Sequence, residues 1–184
     1  MIALLVIDMQ NAYFEDPVLD ASRERVVRGC NELIAGFKSA GHKVLVVRTE
    51  HERDKSTWTL NMLDDDQGFI FRGSKQAELV PGLQADGHPQ LVKTRDSAFV
   101  DTDLLARLRN WGVERVVLAG VSTHNCLAQT AADAFARNVR VSYARDAMAS
   151  EDKDAEADML RILTDEYRQD KLSNREILAS LGGG

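Results

Sequence analysis

The sequence predicts an α/β protein: a three-layer α/β/α sandwich around a six-stranded, mostly parallel sheet. Three observations carry this. Ile2–Ile7, Lys43–Arg48 and Val113–Gly120 are short apolar runs with little alternation, the pattern of strands covered on both faces. Stretches with apolar residues at helical spacing lie between them. The strand–helix–strand order repeats along the chain, and such alternation folds as a parallel sheet with helices on both faces. At 184 residues the chain is read as one domain, 1–184, large enough for a full core.

Taken in order, the first strand is Ile2–Ile7, ended by Asp8. A helix follows from about Ser22 to Ala40, with Val26, Val27, Cys30, Leu33, Ile34 and Phe37 inward and Gly41 closing it. Lys43–Arg48 is the second strand, so the chain opens with a right-handed β-α-β unit. Residues 50–90 are the least regular part, rich in Gly and aromatics, and are read as a lid or substrate loop. Gln90–Lys93 is a short third strand. A helix from Thr102 buries Leu104, Leu105, Leu108 and Trp111 and stops at Gly112. After the fourth strand, a helix runs from Thr123 to about Arg137. Val139–Tyr143 is the fifth strand, and Ser150 is the expected cap of a helix that reaches about Arg168. A short sixth strand near Lys171 precedes a capping box formed by Ser173 and Glu176. The last three glycines are expected to fray.

Composition narrows the function classes. The chain is 44% hydrophobic and 28% charged, ordinary for a globular protein. A net charge of −6 without a long basic run argues against nucleic acid. Two cysteines, Cys30 and Cys126, do not make a disulfide framework, and Cys30 falls on an apolar helix face. No apolar stretch approaches the ~18 residues of a membrane span. The first strand begins without a charged leader, so the expected location is cytoplasmic.

The chemistry-bearing residues collect at one edge. In open α/β sheets ligands sit beyond the carboxyl ends of the strands. Asp8, Lys93 and Cys126 each follow or end a strand there. A cysteine beside a helix start sees backbone N–H groups and the positive dipole end, both of which favour thiolate. On that ground iodoacetamide is expected to modify Cys126 before Cys30. His51 follows the second strand, but its neighbours Glu50 and Glu52 do not make a metal-ligand spacing, and no metal or other cofactor is expected.

The segments Leu5-Val6-Ile7-Asp8-Met9-Gln10-Asn11 with Phe14, Val92–Phe99 and Leu118–Cys126 resemble the isochorismatase-like cysteine hydrolases. Ala131–Ala134 and Arg145–Ala147 match as well, so the resemblance covers nearly the whole chain. It implies the strand order 3-2-1-4-5-6, an Asp8-Lys93-Cys126 triad, and a cis peptide between Val121 and Ser122. It also implies an oxyanion hole at the turn of Val121, Ser122 and Cys126, and a homodimer or homotetramer. Candidate contacts for a small-molecule substrate are Gln10, Phe14, His51, Trp58, Phe99 and His124. The family includes amidases and isochorismate hydrolases that cleave a vinyl ether. Cys126 favours hydrolysis of an amide-type C–N bond, with the vinyl ether reaction as the alternative. Nicotinamidases of the family carry an Asp-x-His metal motif that Thr49-Glu50-His51 lacks. A signalling domain phosphorylated on Asp8 would need neighbouring acids for Mg²⁺, which Met9-Gln10-Asn11 does not supply. A non-catalytic binding domain is the other alternative. One distance stands out: in the implied order, the third strand lies two places from the first, roughly 9–10 Å away.

Overall fold

A computed structural model describes residues 1–182. Six strands, β1 (Ile2–Ile7), β2 (Lys43–Thr49), β3 (Gln90–Lys93), β4 (Arg115–Gly120), β5 (Arg140–Met148) and β6 (Asp170–Leu172), form one sheet. Their order is β3-β2-β1-β4-β5-β6 and every pairing is parallel. Central β1 explains its own composition. Ala3, Leu5 and Ile7 face one buried layer and Leu4 and Val6 the other, so no position along it is left for a polar side chain.

Two helix layers cover these faces. On the Leu4/Val6 side, α1 (Pro17–Ser39) buries Leu19, Val26, Cys30, Leu33, Ile34 and Phe37, beside Ile177 of the last helix, Asn174–Ser180. On the other side pack the helices Leu104–Asn110, Ala128–Ala136 and Lys153–Asp165. Alanines 128, 131 and 134 let the middle one lie close to the sheet. The connection between β2 and β3 contains only a short helix, Leu60–Asp64, and a 3₁₀ turn, Lys75–Ala77. Among the described residues no helix is long and apolar enough to cross a membrane.

Several boundaries differ from expectation for identifiable reasons. Helix α1 starts at Pro17, five residues before Ser22. Asp16 caps it by accepting from the Val18 and Leu19 amides at 2.8 and 3.1 Å, and proline at the first position needs no donor. The helix expected to be capped by Ser150 is capped by Asp152, which accepts from the Ala155 amide at 2.9 Å, and it ends at Asp165 rather than near Arg168. Ser150 instead bonds the ring of His124. β5 runs on to Met148, past the expected end at Tyr143. The helix expected from Thr123 begins with a wide π-type turn, Thr123–Leu127, before regular α geometry from Ala128. The helix expected from Thr102 begins at Leu104, whose amide donates to the Thr102 hydroxyl at 3.2 Å. The capping box of Ser173 and Glu176 is present as expected. The expected frayed tail at Gly183 and Gly184 lies outside the described residues.

Asp152 gives a direct check. Asp152→Ala removes the acceptor of an N-terminal amide and is expected to cost about 1 kcal/mol, read as a lower urea midpoint at unchanged slope. An unchanged midpoint would return the capping role to another residue.

Candidate active site

The carboxyl edge of the sheet brings Asp8, Lys93 and Cys126 together. Asp8 leaves β1 with φ of 54°, a left-handed conformation that aspartate tolerates better than most residues. Its amide donates to the Val47 carbonyl at 2.9 Å, which turns the side chain out of the strand's alternation. Cys126 sits in the π-type turn after β4. Gly120 makes that turn possible: its φ is 115°, and a Cβ there would stand 1.9 Å from the Ile7 carbonyl oxygen. Beyond it the Val121–Ser122 peptide is cis.

Lys93 closes the gap between β3 and β1. It lies opposite Thr49 in the β2–β3 register, and the small threonine lets the lysine stem cross β2. Lys93 Nζ then stands 2.8 Å from Asp8 Oδ2, donates to Thr49 Oγ1 at 2.8 Å and to the Arg95 carbonyl at 3.1 Å, and reaches Cys126 Sγ at 3.4 Å. Thr49 Oγ1 donates its own proton to Asp8 Oδ1 at 2.9 Å and accepts from Tyr13 Oη at 3.2 Å. Asp8, Lys93 and Cys126 are 0%, 1% and 4% exposed, so this network works in a medium of low polarity.

Burial sets the charges. Desolvation alone would lower the Lys93 pKa, but the Asp8 carboxylate and the sulfur beside it push it above the ordinary lysine range, so Lys93 is an ammonium. Burial pushes the Cys126 thiol well up, the Asp8 charge adds to this, and Lys93 offsets only part of it. Burial thus opposes the helix-start groups that favour thiolate. Burial likewise raises Tyr13, with Asp8 and Cys126 adding to it. Cys30 is fully buried, donates to the Ala147 carbonyl at 3.7 Å, and is pushed up to about 12 by desolvation. Labelling of Cys126 before Cys30 now rests on access rather than on acidity. The Cys126 alkylation rate is expected to climb about tenfold per pH unit between pH 7 and 9; a plateau in that window would mean an acidic thiol.

A cavity of about 780 Å³ opens above this floor. Tyr13, Thr49 and Lys93 form its base, His51, Trp58, Met62 and Phe69 one wall, and Arg95 and Asn125 another. Of the candidate substrate contacts, His51 and Trp58 line it. Trp58 Nε1 donates to the Glu52 carbonyl at 2.9 Å, which leaves the indole face as wall. His51 Nδ1 lies 2.9 Å from the Thr57 carbonyl, which fixes the proton on that nitrogen; burial, more than the nearby cations Arg95 and Lys93, lowers its pKa and keeps the ring neutral.

The other candidates lie elsewhere. Gln10 is spent on backbone: Nε2 donates to the carbonyls of Thr49 and Ala77 at 2.8 and 2.9 Å, and Oε1 accepts from the Thr49 amide at 2.8 Å. It clips the 50–90 connection to the end of β1 and β2. Phe14 packs into the α1 core layer. Phe99 packs into the opposite layer, with the Arg137 guanidinium 5.1 Å above its ring. His124 faces Ser150 and Glu151, and the Ser122 hydroxyl donates to Glu151. Sequence reasoning missed Thr49, Tyr13 and Arg95. Only Arg95 stood in a segment that carried the resemblance, and nothing marked the other two.

The residues around His51 do not fit a metal. Glu50 is held by Arg48 and Arg72, Glu52 by Arg72 Nε at 2.9 Å, and position 49 is the threonine of the buried network. Among the described residues no three His, Cys, Asp or Glu side chains converge as a metal site.

Residues 2–169 match the family model of the isochorismatase domain. Nicotinamidase 3 of Arabidopsis thaliana is 31% identical over 153 residues, covering 80% of this chain and 73% of that protein. A second Arabidopsis thaliana protein, named "Probable inactive nicotinamidase", is 36% identical over 142 residues, covering 73% and 72%. The crystal structure of an isochorismatase family protein from Desulfovibrio vulgaris superposes with a TM-score of 0.83 at 28% identity, covering 98% of both chains. A parallel sheet of order 3-2-1-4-5-6, with an acid, a lysine and a cysteine at its carboxyl edge, thus coincides with a family match over almost the whole length: the chain belongs to the isochorismatase family of hydrolases.

Proposed function

We propose that this chain hydrolyses the C–N bond of a small amide through an acyl-enzyme on Cys126. One observation carries the proposal: a buried ammonium, Lys93, touches both the Asp8 carboxylate and the Cys126 sulfur at the floor of an open cavity. A thiol held neutral by burial needs a base on the spot and a cation to receive the thiolate, and these two residues are that base and that cation.

The steps follow from the groups. Asp8 takes the thiol proton, and Lys93 stabilises the thiolate as it forms. Cys126 Sγ attacks the amide carbonyl carbon, and the negative charge moves to the carbonyl oxygen. The Ser122 amide, which has no hydrogen-bond acceptor among the described residues, is the donor for that oxygen, together with the amide of Cys126. Asp8 passes its proton to the leaving nitrogen as the C–N bond breaks, which leaves a thioester. It then deprotonates a water that attacks the thioester carbonyl, and the sulfur leaves and recovers its proton. The products are a carboxylic acid and ammonia or an amine. Thr49 donates to the Asp8 carboxylate and is itself held by the Tyr13 hydroxyl, so the carboxylate needs no reorganisation between steps. The relative named as a nicotinamidase supports C–N cleavage, while the relative named as inactive makes turnover the decisive measurement.

The test is a panel of small primary amides assayed by ammonia release, with rapid quenching and mass spectrometry of the Cys126 peptide. Ammonia release with an acyl mass on Cys126 is the expected result. Ammonia release with the acyl mass absent, or on another residue, would sink the covalent route; release of no ammonia from any amide would sink C–N hydrolysis.

A further inference from the structure

We propose that Arg95 selects the substrate: the amide this chain cleaves carries a carboxylate, which Arg95 binds in the cavity. The inference rests on the C–N hydrolase reading and adds the chemical class to it.

Arg95 is two residues beyond Lys93 and lines the same cavity. Its Nη1 donates to the carbonyls of Thr57 and Thr94 at 2.9 and 2.7 Å, which fixes the guanidinium plane. Among the described residues its Nε and Nη2 donate to nothing, and no carboxylate lies within 4.0 Å of it. Lys93 differs, because its charge is already matched by Asp8. Arg95 is therefore the half-buried, unmatched cation of the lining. The acids of the lining, Asp65 and Asp96, are exposed, and neither forms an ion pair with Arg95. A fixed guanidinium with free N–H groups on one edge fits a carboxylate better than any neutral group.

His51 supports the same class. It is nearly fully buried and lines the cavity, and its Nδ1 partner is the Thr57 carbonyl that also takes Arg95 Nη1. One carbonyl thus orients both side chains. With the proton on Nδ1, His51 Nε2 is left as an acceptor without a partner among the described residues. A neutral ring beside Arg95 adds no second cation, so the guanidinium remains the single anion receptor and His51 accepts an N–H from the amide part of the ligand.

Two arms test this. In the first, malonamate, succinamate and glutaramate are compared with primary amides in which an isopropyl group replaces the carboxylate. In wild type the best carboxy-amide is expected to exceed its neutral partner in kcat/KM by about 10–100-fold, mostly through KM, the range expected of a charge-assisted pair. In Arg95→Gln that ratio is expected to fall to near one, and Arg95→Lys is expected to recover only part of it. A ratio near one in wild type, or a ratio unchanged in Arg95→Gln, would overturn the proposal. In the second arm the same compounds are titrated calorimetrically into Cys126→Ala, which needs no turnover. Carboxy-amide binding that weakens at least about tenfold when Arg95→Gln is added supports the proposal, even if no amide releases ammonia and the hydrolase reading fails. Absence of carboxy-amide binding at millimolar concentration overturns it, even if neutral amides are cleaved.

Discussion

Cys126→Ala is expected to lower amide turnover by at least about 10⁴-fold, because the acyl-enzyme loses its nucleophile while the remaining floor offers only positioning. The fold should survive. Cys126 lies in the π-type turn, alanine is compatible with helical geometry, and its removal leaves Lys93 paired with Asp8. A melting temperature within a few degrees of wild type, with ammonia release at background, is the expected pair of results. Turnover within tenfold of wild type would mean that water is activated directly by Asp8, and the covalent route would be abandoned.

Lys93→Met is expected to cost both activity and stability. The methionine keeps most of the stem volume but leaves the Asp8 carboxylate buried without its counter-charge. Breaking one half of a buried pair typically costs about 3–5 kcal/mol, a large share of the ~5–15 kcal/mol that holds a domain together. Turnover should fall by at least about 10³-fold, since the thiolate loses the cation that stabilises it. The double change Asp8→Asn with Lys93→Met separates the two effects. Stability should return in large part, because no unpaired charge remains, while activity should stay at background. If the single variant is as stable as wild type by urea denaturation, the ion pair is not what holds this edge together.

The fold was legible in the sequence because a doubly covered parallel strand has no polar face to hide. Ile2–Ile7 reads as buried without any partner being known, and the same is true of Val116–Gly120. Boundaries were harder where two signals competed. Apolar spacing placed the start of α1 near Ser22, whereas Asp16-Pro17, a cap followed by a helix-compatible proline, decides it. Ser150 and Asp152 are both capping residues two positions apart, and the backbone chose the aspartate. At the site, Asp8, Lys93 and Cys126 were visible as reactive groups at strand ends. Thr49 was not, since a threonine at the end of a strand is ordinary until Lys93 is laid across it by the register. The electrostatics of Cys126 divide in a related way: the helix dipole can be read from sequence, but the depth of burial that opposes it cannot.

The floor and the walls of the cavity have different origins in the chain. Asp8, Thr49, Lys93 and Cys126 stand at or just beyond the ends of four strands held in register by the whole sheet. His51, Trp58, Met62 and Phe69 belong to the connection between β2 and β3, which is tied to the segment after β1 by the Gln10 side chain, by the Val80 amide donating to the Met9 carbonyl and by the Asn11 amide donating to the Glu78 carbonyl. Insertions and substitutions in that connection can therefore reshape what is admitted without disturbing how it is cut. The architecture separates inheritance of a reaction from inheritance of a diet.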